Sequence, residues 1–302
     1  MKNLDRQDPR LDVLATTASG ASRSGWYVGV LVLLVAVAAV VGLSGSDTYR
    51  GVPELLAQTW RAQDLANLVA APLTVWAWQR ARSGCLRAHL TALGLFFWFS
   101  YSYAHLAFAA PFGPTFLLDV AIVAMAGFAL LDGLVRTDPG AVARHLAGAP
   151  HRRTGWFLVV SSVGIAGLWL ADISLGFGGG TPVNLHLGLL PNPTWVLDLG
   201  WVIPMAAAAG IGLIRGRYWA PLLAAPTLVA LAVLSVAMLA LTPVALAAGL
   251  GSDPTVRPQL VAFSVVFTVL GAAEGWIIAR SARTAAPESG WLRDRWWPDL
   301  GA

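Results

Sequence analysis

Residues 98–119 contain the side chains of this sequence that are best suited to chemistry, namely Tyr101, Tyr103, His105 and Asp119. A histidine beside a carboxylate forms an acid–base pair that can move a proton. Tyr101 and His105 are four residues apart, so they can share one face of a helix. Because a short connection separates His105 from Asp119, the two should lie at similar depths on facing helices. The spacing predicts a helical hairpin with a polar site near the outer membrane surface.

Further acidic residues are expected at the same outer level. Burying an ionised group in lipid is costly, so several at one depth imply mutual pairing, a wet vestibule or a bound ligand. We therefore predict an outward-facing pocket for a small-molecule ligand, formed by Asp64, Tyr101, His105, Asp119, Asp172 and Asp198. The alternative is that Asp64 and Asp198 cap helix N-termini, where unpaired N–H groups and the helix dipole favour a carboxylate.

Two acidic residues are expected in the inner leaflet, Asp132 and Glu274. Asp132 can pair with Arg136 at the i+4 position, which favours a structural role. Glu274 has no cation at i+4 and is the inner-leaflet acid of greater functional interest. A proton relay from the outer acids to Glu274 would need intervening polar groups, and the connecting segments contain few.

Composition assigns most of this chain to the lipid bilayer. Hydrophobic residues make up 57% and charged residues 12%, whereas an ordinary soluble domain has about 25% charged residues. The mean hydropathy is +0.65 and the pI is about 9.7. The basic residues stand in short runs between apolar segments rather than on one basic face, so they indicate membrane topology and not a nucleic-acid partner.

The apolar segments predict an all-α, polytopic transmembrane helix bundle. A span needs about 20 apolar residues to cross ~30 Å of hydrocarbon. By that measure one transmembrane domain, residues 26–280, holds about eight spans: 26–45, 62–80, 88–109, 115–135, 155–173, 194–214, 219–248 and 258–279. The second is interrupted by polar residues and Pro72, and the seventh is long and contains three prolines, which predicts a kink or a tilt.

The distribution of Lys and Arg predicts the orientation. With the N-terminus inside, 17 of the 20 basic residues fall in cytoplasmic segments, and Arg50, Arg61 and Arg257 remain outside. Such a bias is typical of the cytoplasmic side. We expect a multi-pass protein of the plasma membrane with cytoplasmic tails at 1–25 and 281–302. The first apolar run is interpreted as a retained span rather than a cleaved signal peptide, because its polar lead is long.

The second tail contains a segment, residues 290–298, in which three tryptophans alternate with Arg293 and Arg295. This composition is typical of a segment that lies in the headgroup region. A solvated polar tail is the alternative.

Two sequence landmarks recur in the two halves of the chain and suggest a duplication. An Asp-Leu pair precedes a proline at Asp64 and again at Asp198, and an acid followed by glycine precedes an arginine at Asp132 and at Glu274. Four spans per unit would give a 4+4 parallel repeat with a pseudo-twofold axis along the membrane normal. The Asp-to-Pro spacings differ between the copies.

Several familiar cofactors are not expected. Cys85 is the only cysteine and Lys2 the only lysine, so the chain lacks the ligands of an iron–sulfur cluster, a Schiff-base lysine for retinal or pyridoxal phosphate, and a P-loop lysine. His89 and His105 lie roughly 24 Å apart on one helix and cannot ligate one haem. A metal held by His105, Asp119 and a further aspartate has acceptable ligand types, but no zinc-type spacing supports it, and we predict none.

The outer loop at residues 174–193 is rich in glycine and nearly uncharged. It could form a lid over the pocket, or it could be a plain connector. A phosphate-binding role is weak because no GK[ST] follows the glycines.

Three motifs resemble those of an uncharacterised family of prokaryotic multi-pass membrane proteins: Gln63-Asp64, the Tyr-x-Tyr-x-His run at 101–108 with the following PFGPTFLLD, and PNPTWVLDLGWVIP at 191–204. The resemblance covers about residues 50–215. It implies a shared outer-face site and no known activity. An asparagine of the family pattern is replaced here by Gly113.

Two functional hypotheses follow, with a structural or accessory subunit as a third. The first is a transporter or permease for a small molecule or ion, which the duplication and the scarcity of nucleophiles favour. The second is an intramembrane enzyme that uses His105 and an aspartate, which the concentration of acids at one surface favours.

Overall fold

The computed structural model describes residues 9–45, 48–178, 192–254 and 256–284, and the side chains from residue 25 onward. The predicted lid loop lies mostly outside these residues, and the tryptophan-rich tail segment lies wholly outside them. Within the described part the chain is all-helical and contains no β-strand, as predicted.

Ten α-helices follow one another in the part of the chain that the structure describes. Their bounds are α1 Pro9–Ser44, α2 Glu54–Arg82, α3 Leu86–Ala109, α4 Phe116–Arg136, α5 Pro139–His145, α6 His151–Phe177, α7 Pro193–Leu197, α8 Ile203–Ile214, α9 Ala220–Ala247 and α10 Val256–Thr284. A π-helical turn, Asp198–Val202, joins α7 to α8, so that Pro193–Ile214 forms one continuous segment.

Among the described residues, six segments are long and apolar enough to cross a membrane: Gly25–Ser44 of α1, α4, α6, Pro193–Ile214, α9 and α10. The chain is therefore compatible with an integral membrane protein. The expected number of about eight spans is not confirmed, because α2 and α3 are less apolar. The physical reason is their position, since both are packed among other helices and need fewer lipid-facing side chains.

Helix α3 lies at the centre of the bundle. It packs against α2, α4 and α9, and its residues from Ala92 to Leu106 are buried throughout. Helix α9 packs against α2 and α3 on one side and α8 and α10 on the other. The main core thus joins α1–α4 to α9, and a smaller core joins α6, α8, α9 and α10.

The 4+4 repeat is not confirmed. Helix α9 packs against both α2 and α3, which also pack against each other, so the two halves do not form separate four-helix units. The two aspartates that the repeat would superpose also lie in different local structures. Asp64 is inside the long helix α2, whereas Asp198 begins the π-helical turn.

The expectation that Asp64 begins its helix is wrong. Helix α2 starts at Glu54, so Asp64 lies ten residues, or about 15 Å, along the helix. Nor does Asp198 cap a helix start, because it directly follows α7, whose N-cap is Asn192 with its side chain accepting from the Thr194 N–H at 2.9 Å. N-terminal capping therefore explains neither carboxylate.

Because consecutive long helices run antiparallel, the bundle has two ends. We call the end with the α1–α2 and α3–α4 connections the hairpin end. The opposite end, with the α2–α3 and α8–α9 connections, is the arginine end, because most described arginines lie there: Arg80, Arg82, Arg87, Arg136, Arg144, Arg152, Arg153, Arg215, Arg217, Arg280 and Arg283.

Helices α6 and α8 make their closest approach through two glycines. A Cβ at Gly155 would lie 2.7 Å from the Gly210 carbonyl oxygen, and a Cβ at Gly210 would lie 2.7 Å from that of Gly155. Small residues of this kind let membrane helices pack backbone to backbone. The two helices are therefore held at a distance that no larger residue allows.

We expect Gly155→Ala to lower the free energy of unfolding by about 1–3 kcal/mol, because the added methyl group forces the helices apart. The measurement is thermal unfolding in detergent, with the monodisperse fraction that remains on size-exclusion chromatography as the readout. Gly164→Ala on the same helix is the control, since a Cβ there meets nothing within 4 Å. Equal melting temperatures for the two variants would contradict the close contact.

Candidate functional site

The candidate site at the hairpin end is divided by α3. Tyr101 and Tyr103 are two residues apart and therefore point about 200° from each other around the helix. The Tyr103 hydroxyl donates to the carbonyl oxygen of Val35 in α1 at 3.1 Å, whereas the Tyr101 hydroxyl donates to Asp198 at 2.7 Å. Two polar clusters result, one on each face of α3.

The first cluster, which we call the acid pair, contains Asp64 of α2 and Asp119 in the first turn of α4. Both side chains are buried, with relative exposures of 0% and 2%. They are close enough to interact electrostatically, and Tyr103 lies within range of both. The fold thus brings two acidic side chains within electrostatic range of each other in the interior.

Tyr49, in the connection between α1 and α2, supplies one hydrogen bond to the acid pair. Its hydroxyl donates to Asp64 Oδ2 at 2.7 Å, and its ring lies 5.2 Å from that of Trp60. Burial, followed by the neighbouring charge of Asp64, raises the pKa of the Tyr49 phenol, which therefore remains a proton donor.

Each carboxylate of the acid pair also has an oxygen without a partner. Asp64 Oδ1 and Asp119 Oδ1 are both buried and accept no hydrogen bond from any described residue. Neither carboxylate forms an ion pair within the described chain, although Arg61 attracts Asp64 at longer range. Buried acceptors are almost always satisfied in native proteins, so two adjacent exceptions require an explanation.

The α1 backbone closes the acid pair on one side. A Cβ built on Gly42 would overlap Asp64 Oδ2 and would lie 2.6 Å from the Tyr49 hydroxyl. Only glycine leaves room here for the carboxylate and the phenol together. Four segments of the first half of the chain therefore contribute to the acid pair, namely α1, the α1–α2 connection, α2 and α4.

The second cluster, which we call the Tyr101 cluster, joins α3 to the second half. Asp198 accepts from Tyr101 through Oδ1 and from the Trp169 indole through Oδ2, at 2.7 and 2.8 Å. Both oxygens are therefore satisfied, in contrast to the acid pair. The π-helical turn that begins at Asp198 aims its carboxylate between α3 and α6, and such turns are common at functional positions.

His105 belongs to the Tyr101 cluster, and both of its ring nitrogens are hydrogen-bonded. Nδ1 lies 3.2 Å from the Tyr101 carbonyl oxygen and Nε2 lies 3.0 Å from Thr194 Oγ1. Because a carbonyl can only accept, Nδ1 carries the proton and Nε2 accepts from the threonine hydroxyl. The ring is therefore held in one neutral tautomer, with no carboxylate on either nitrogen.

The sequence-predicted pocket residues are thus distributed over two places. Asp64 and Asp119 lie together in the acid pair, and Tyr101, His105 and Asp198 lie together in the Tyr101 cluster. The structure does not join His105 to Asp119, the pair on which the enzyme hypothesis rested. Asp172 is buried near the end of α6, one helical turn from Trp169.

A row of polar side chains connects α2 and α3 beside these clusters. The Trp98 indole donates to Asn67 at 2.7 Å, and Ser102 donates to Gln63 at 3.1 Å. In the sequence these α2 residues are interruptions of an apolar span. Their spacing of four residues, matched by that of Trp98 and Ser102, was the signal of a shared polar face.

Sequence reasoning did not assign Tyr49, Thr194 or Trp169 to the site. Each provides a hydrogen bond to a predicted site residue from a segment distant in sequence. Tyr49 lies in a connection and Trp169 in an apolar span, so neither position carried a local signal. The Asn-Pro pair at 192–193 does signal a helix start, which places Thr194 in the first turn.

At the arginine end the predicted pairing is confirmed, because Arg136 Nε lies 2.6 Å from Asp132 Oδ1. Glu274 is buried and accepts from Ser235 at 2.9 Å. His89 shares a hydrogen bond of 2.8 Å with Thr137. These contacts are separate from the two clusters at the hairpin end.

Within the described ranges no group of three or more His, Cys, Asp or Glu residues is arranged to hold a metal ion. The metal site considered for His105, Asp119 and a further aspartate is thus not assembled, because the histidine and Asp119 lie in different clusters. Two carboxylates and a phenol remain as oxygen ligands in the acid pair.

No protein-family description, curated protein or solved structure matches this chain. The resemblance to an uncharacterised membrane-protein family therefore remains a prediction from the quoted motifs.

Proposed function

We propose that this integral membrane protein is a permease-like transporter that exchanges a monovalent cation for a proton at the acid pair. The observation that carries the proposal is the presence of two buried carboxyl groups within electrostatic range of each other, Asp64 and Asp119, each with one oxygen that accepts no hydrogen bond from the described residues. A cation between them would satisfy both oxygens.

The free energy of burial supports a bound positive charge. An ionised carboxylate away from water costs several kcal/mol unless it is paired, and two adjacent ones add mutual repulsion. One proton or one monovalent cation removes most of this cost, because it leaves the pair with a single net negative charge that Arg61 partly offsets at long range.

The acid pair offers fewer oxygen ligands than a calcium or magnesium site usually has. Divalent calcium and magnesium usually take six or more oxygen ligands, often with several carboxylates or waters. The acid pair offers two carboxylates and the Tyr49 phenol. Its position at the hairpin end, near the start of α4 and the α1–α2 connection, gives a short route to the aqueous phase.

The bonding of His105 favours transport over an intramembrane enzyme. A general base needs a ring nitrogen available to the substrate and, in acid–base pairs, a carboxylate that orients the ring. Here a carbonyl and a hydroxyl occupy the two nitrogens. The Tyr101 cluster instead joins α3 to α6 and α7 by hydrogen bonds. A change of charge in the acid pair, on the other face of α3, would therefore occur next to the contacts between α3 and the second half of the chain.

We infer that the protein has eight membrane spans, including α2 and α3. The arginine end then lies on the cytoplasmic side of the plasma membrane. The clustering of arginines at that end supports this orientation.

The test is cation binding and movement by the purified protein. We expect NaCl, but not choline chloride, to raise the melting temperature and to release protons into weakly buffered detergent solution. In proteoliposomes that enclose a pH-sensitive dye, an inward Na⁺ gradient should change the internal pH. The proposal is wrong if Na⁺, Li⁺ and K⁺ all leave melting temperature, proton release and internal pH unchanged.

A further inference from the structure

A cavity lies at the arginine end of the bundle, opposite the hairpin end that holds the acid pair. Its volume is about 160 Å³, and its apolar walls include Leu90, Leu213, Leu228, Val229 and Ile278. These residues come from α3, α8, α9 and α10. An apolar cavity of about 150 Å³ admits a benzene molecule, so this one has room for roughly six carbon atoms.

The rim of the cavity is polar and positively charged. Arg87, Thr91, His151, Thr154 and Ser281 all line it, and none of its described lining residues is acidic. The exposed Arg87 guanidinium reaches from α3 to α10, where it donates to the Ala282 carbonyl oxygen at 3.0 Å. The rim thus contains one guanidinium and several hydroxyl donors above an apolar interior.

Further arginines surround this rim. Arg152 and Arg153 follow His151, and Arg280 and Arg283 flank Ser281, all on the exposed surface. Guanidinium groups match phosphate oxygens in geometry as well as in charge, and basic pockets between transmembrane helices bind anionic lipid headgroups. The charge and the shape therefore complement an amphiphile with an anionic phosphate and an apolar chain.

We infer that this cavity binds an anionic phospholipid, with its phosphate on Arg87 and one acyl-chain segment between α3, α8, α9 and α10. The bilayer supplies such a molecule directly at this depth. The bound chain would fill the apolar volume, which otherwise leaves the walls without contacts. The headgroup would bridge α3 and the end of α10 through the same guanidinium that already joins them.

The experiment is native mass spectrometry of the full chain, titrated with dioctanoyl phosphatidic acid and, separately, with dioctanoyl phosphatidylcholine. We expect one phosphatidic acid to bind at least about tenfold more tightly than phosphatidylcholine, because only the former presents an unshielded phosphate to the guanidinium. Inorganic phosphate should compete weakly, since it lacks the chain.

Two variants and one control make the test specific. Arg87→Gln should abolish the preference for phosphatidic acid over phosphatidylcholine. Ala225→Leu, which narrows the cavity, should weaken the binding of phosphatidic acid and leave the binding of inorganic phosphate unchanged. Arg80→Gln, an exposed arginine at the same end that does not line the cavity, should bind like the wild type.

Equal affinity of the wild type for the two lipids would overturn the inference, as would an unchanged preference in Arg87→Gln. If inorganic phosphate displaces the lipid at a concentration equal to that of the lipid, the rim binds a free anion, and the inference of a phospholipid site is wrong. Ala225→Leu keeps the test decisive if Arg87→Gln does not fold.

Discussion

Asp64→Asn is expected to raise the melting temperature of the cation-free protein and to abolish the stabilisation by NaCl. The substitution removes one of two adjacent buried charges, and the asparagine carbonyl still accepts from the Tyr49 hydroxyl. The expected gain in the free energy of unfolding is about 1–3 kcal/mol. Thermal unfolding at mildly alkaline pH, in NaCl and in choline chloride, measures both effects, and Asp119→Asn should change them in the same direction.

Asp132→Asn is the matched control. Its carboxylate lies in the last two turns of α4, is partly exposed, and is paired with Arg136 at 2.6 Å. Neutralising it should lower the melting temperature slightly or leave it unchanged, and the response to NaCl should remain. If Asp64→Asn instead loses stability in the absence of cations, the acid pair is a structural hydrogen-bonded network and the proposed cation site is wrong.

Gly42→Ala is expected to disrupt the acid pair from the opposite side. The new methyl group would overlap Asp64 Oδ2 and lie 2.8 Å from Asp64 Cγ, so both the carboxylate and Tyr49 must move. Overpacking of this kind usually costs about 1–3 kcal/mol. We expect a lower melting temperature and, because the two carboxylates no longer face each other, loss of the NaCl response as well.

Gly29→Ala on the same helix tests whether the effect comes from the site. A Cβ at that position meets nothing within 4 Å, and alanine is the better helix former by about 1 kcal/mol. This variant should be as stable as the wild type or more so, with a full NaCl response. Similar losses in the two variants would show that α1 tolerates no substitution, whatever its distance from Asp64.

The structure buries the polar residues predicted to form the pocket, but the sequence did not predict how they pair. Asp119 lies in the first turn of α4 as expected, and Arg136 pairs with Asp132 because that contact is local. Helical period alone implies that Tyr101 and Tyr103 diverge. Their partners could not be deduced, because Asp198 and the Val35 carbonyl are brought to α3 by packing between distant helices.

The predicted span at 62–80 covers only part of α2, which begins at Glu54. A search for apolar runs finds the part of a helix that contacts lipid, and the first two turns of α2 contain polar residues, so they were not included. The π-helical turn at Asp198 could not be predicted from the sequence either. Such a turn contains one extra residue, and neither the hydropathy pattern nor the Asn-Pro helix start indicates where that residue is inserted.

The short connection between α2 and α3 has a consequence for how the protein would enter its membrane. Neither helix is among the six described segments that are long and apolar enough to span by themselves, and only Ser83, Gly84 and Cys85 separate them. If both helices cross the bilayer, as proposed, they should insert together as one hairpin, with α1 or α4 available to cover their polar face. Insertion would then proceed by groups of helices rather than one helix at a time.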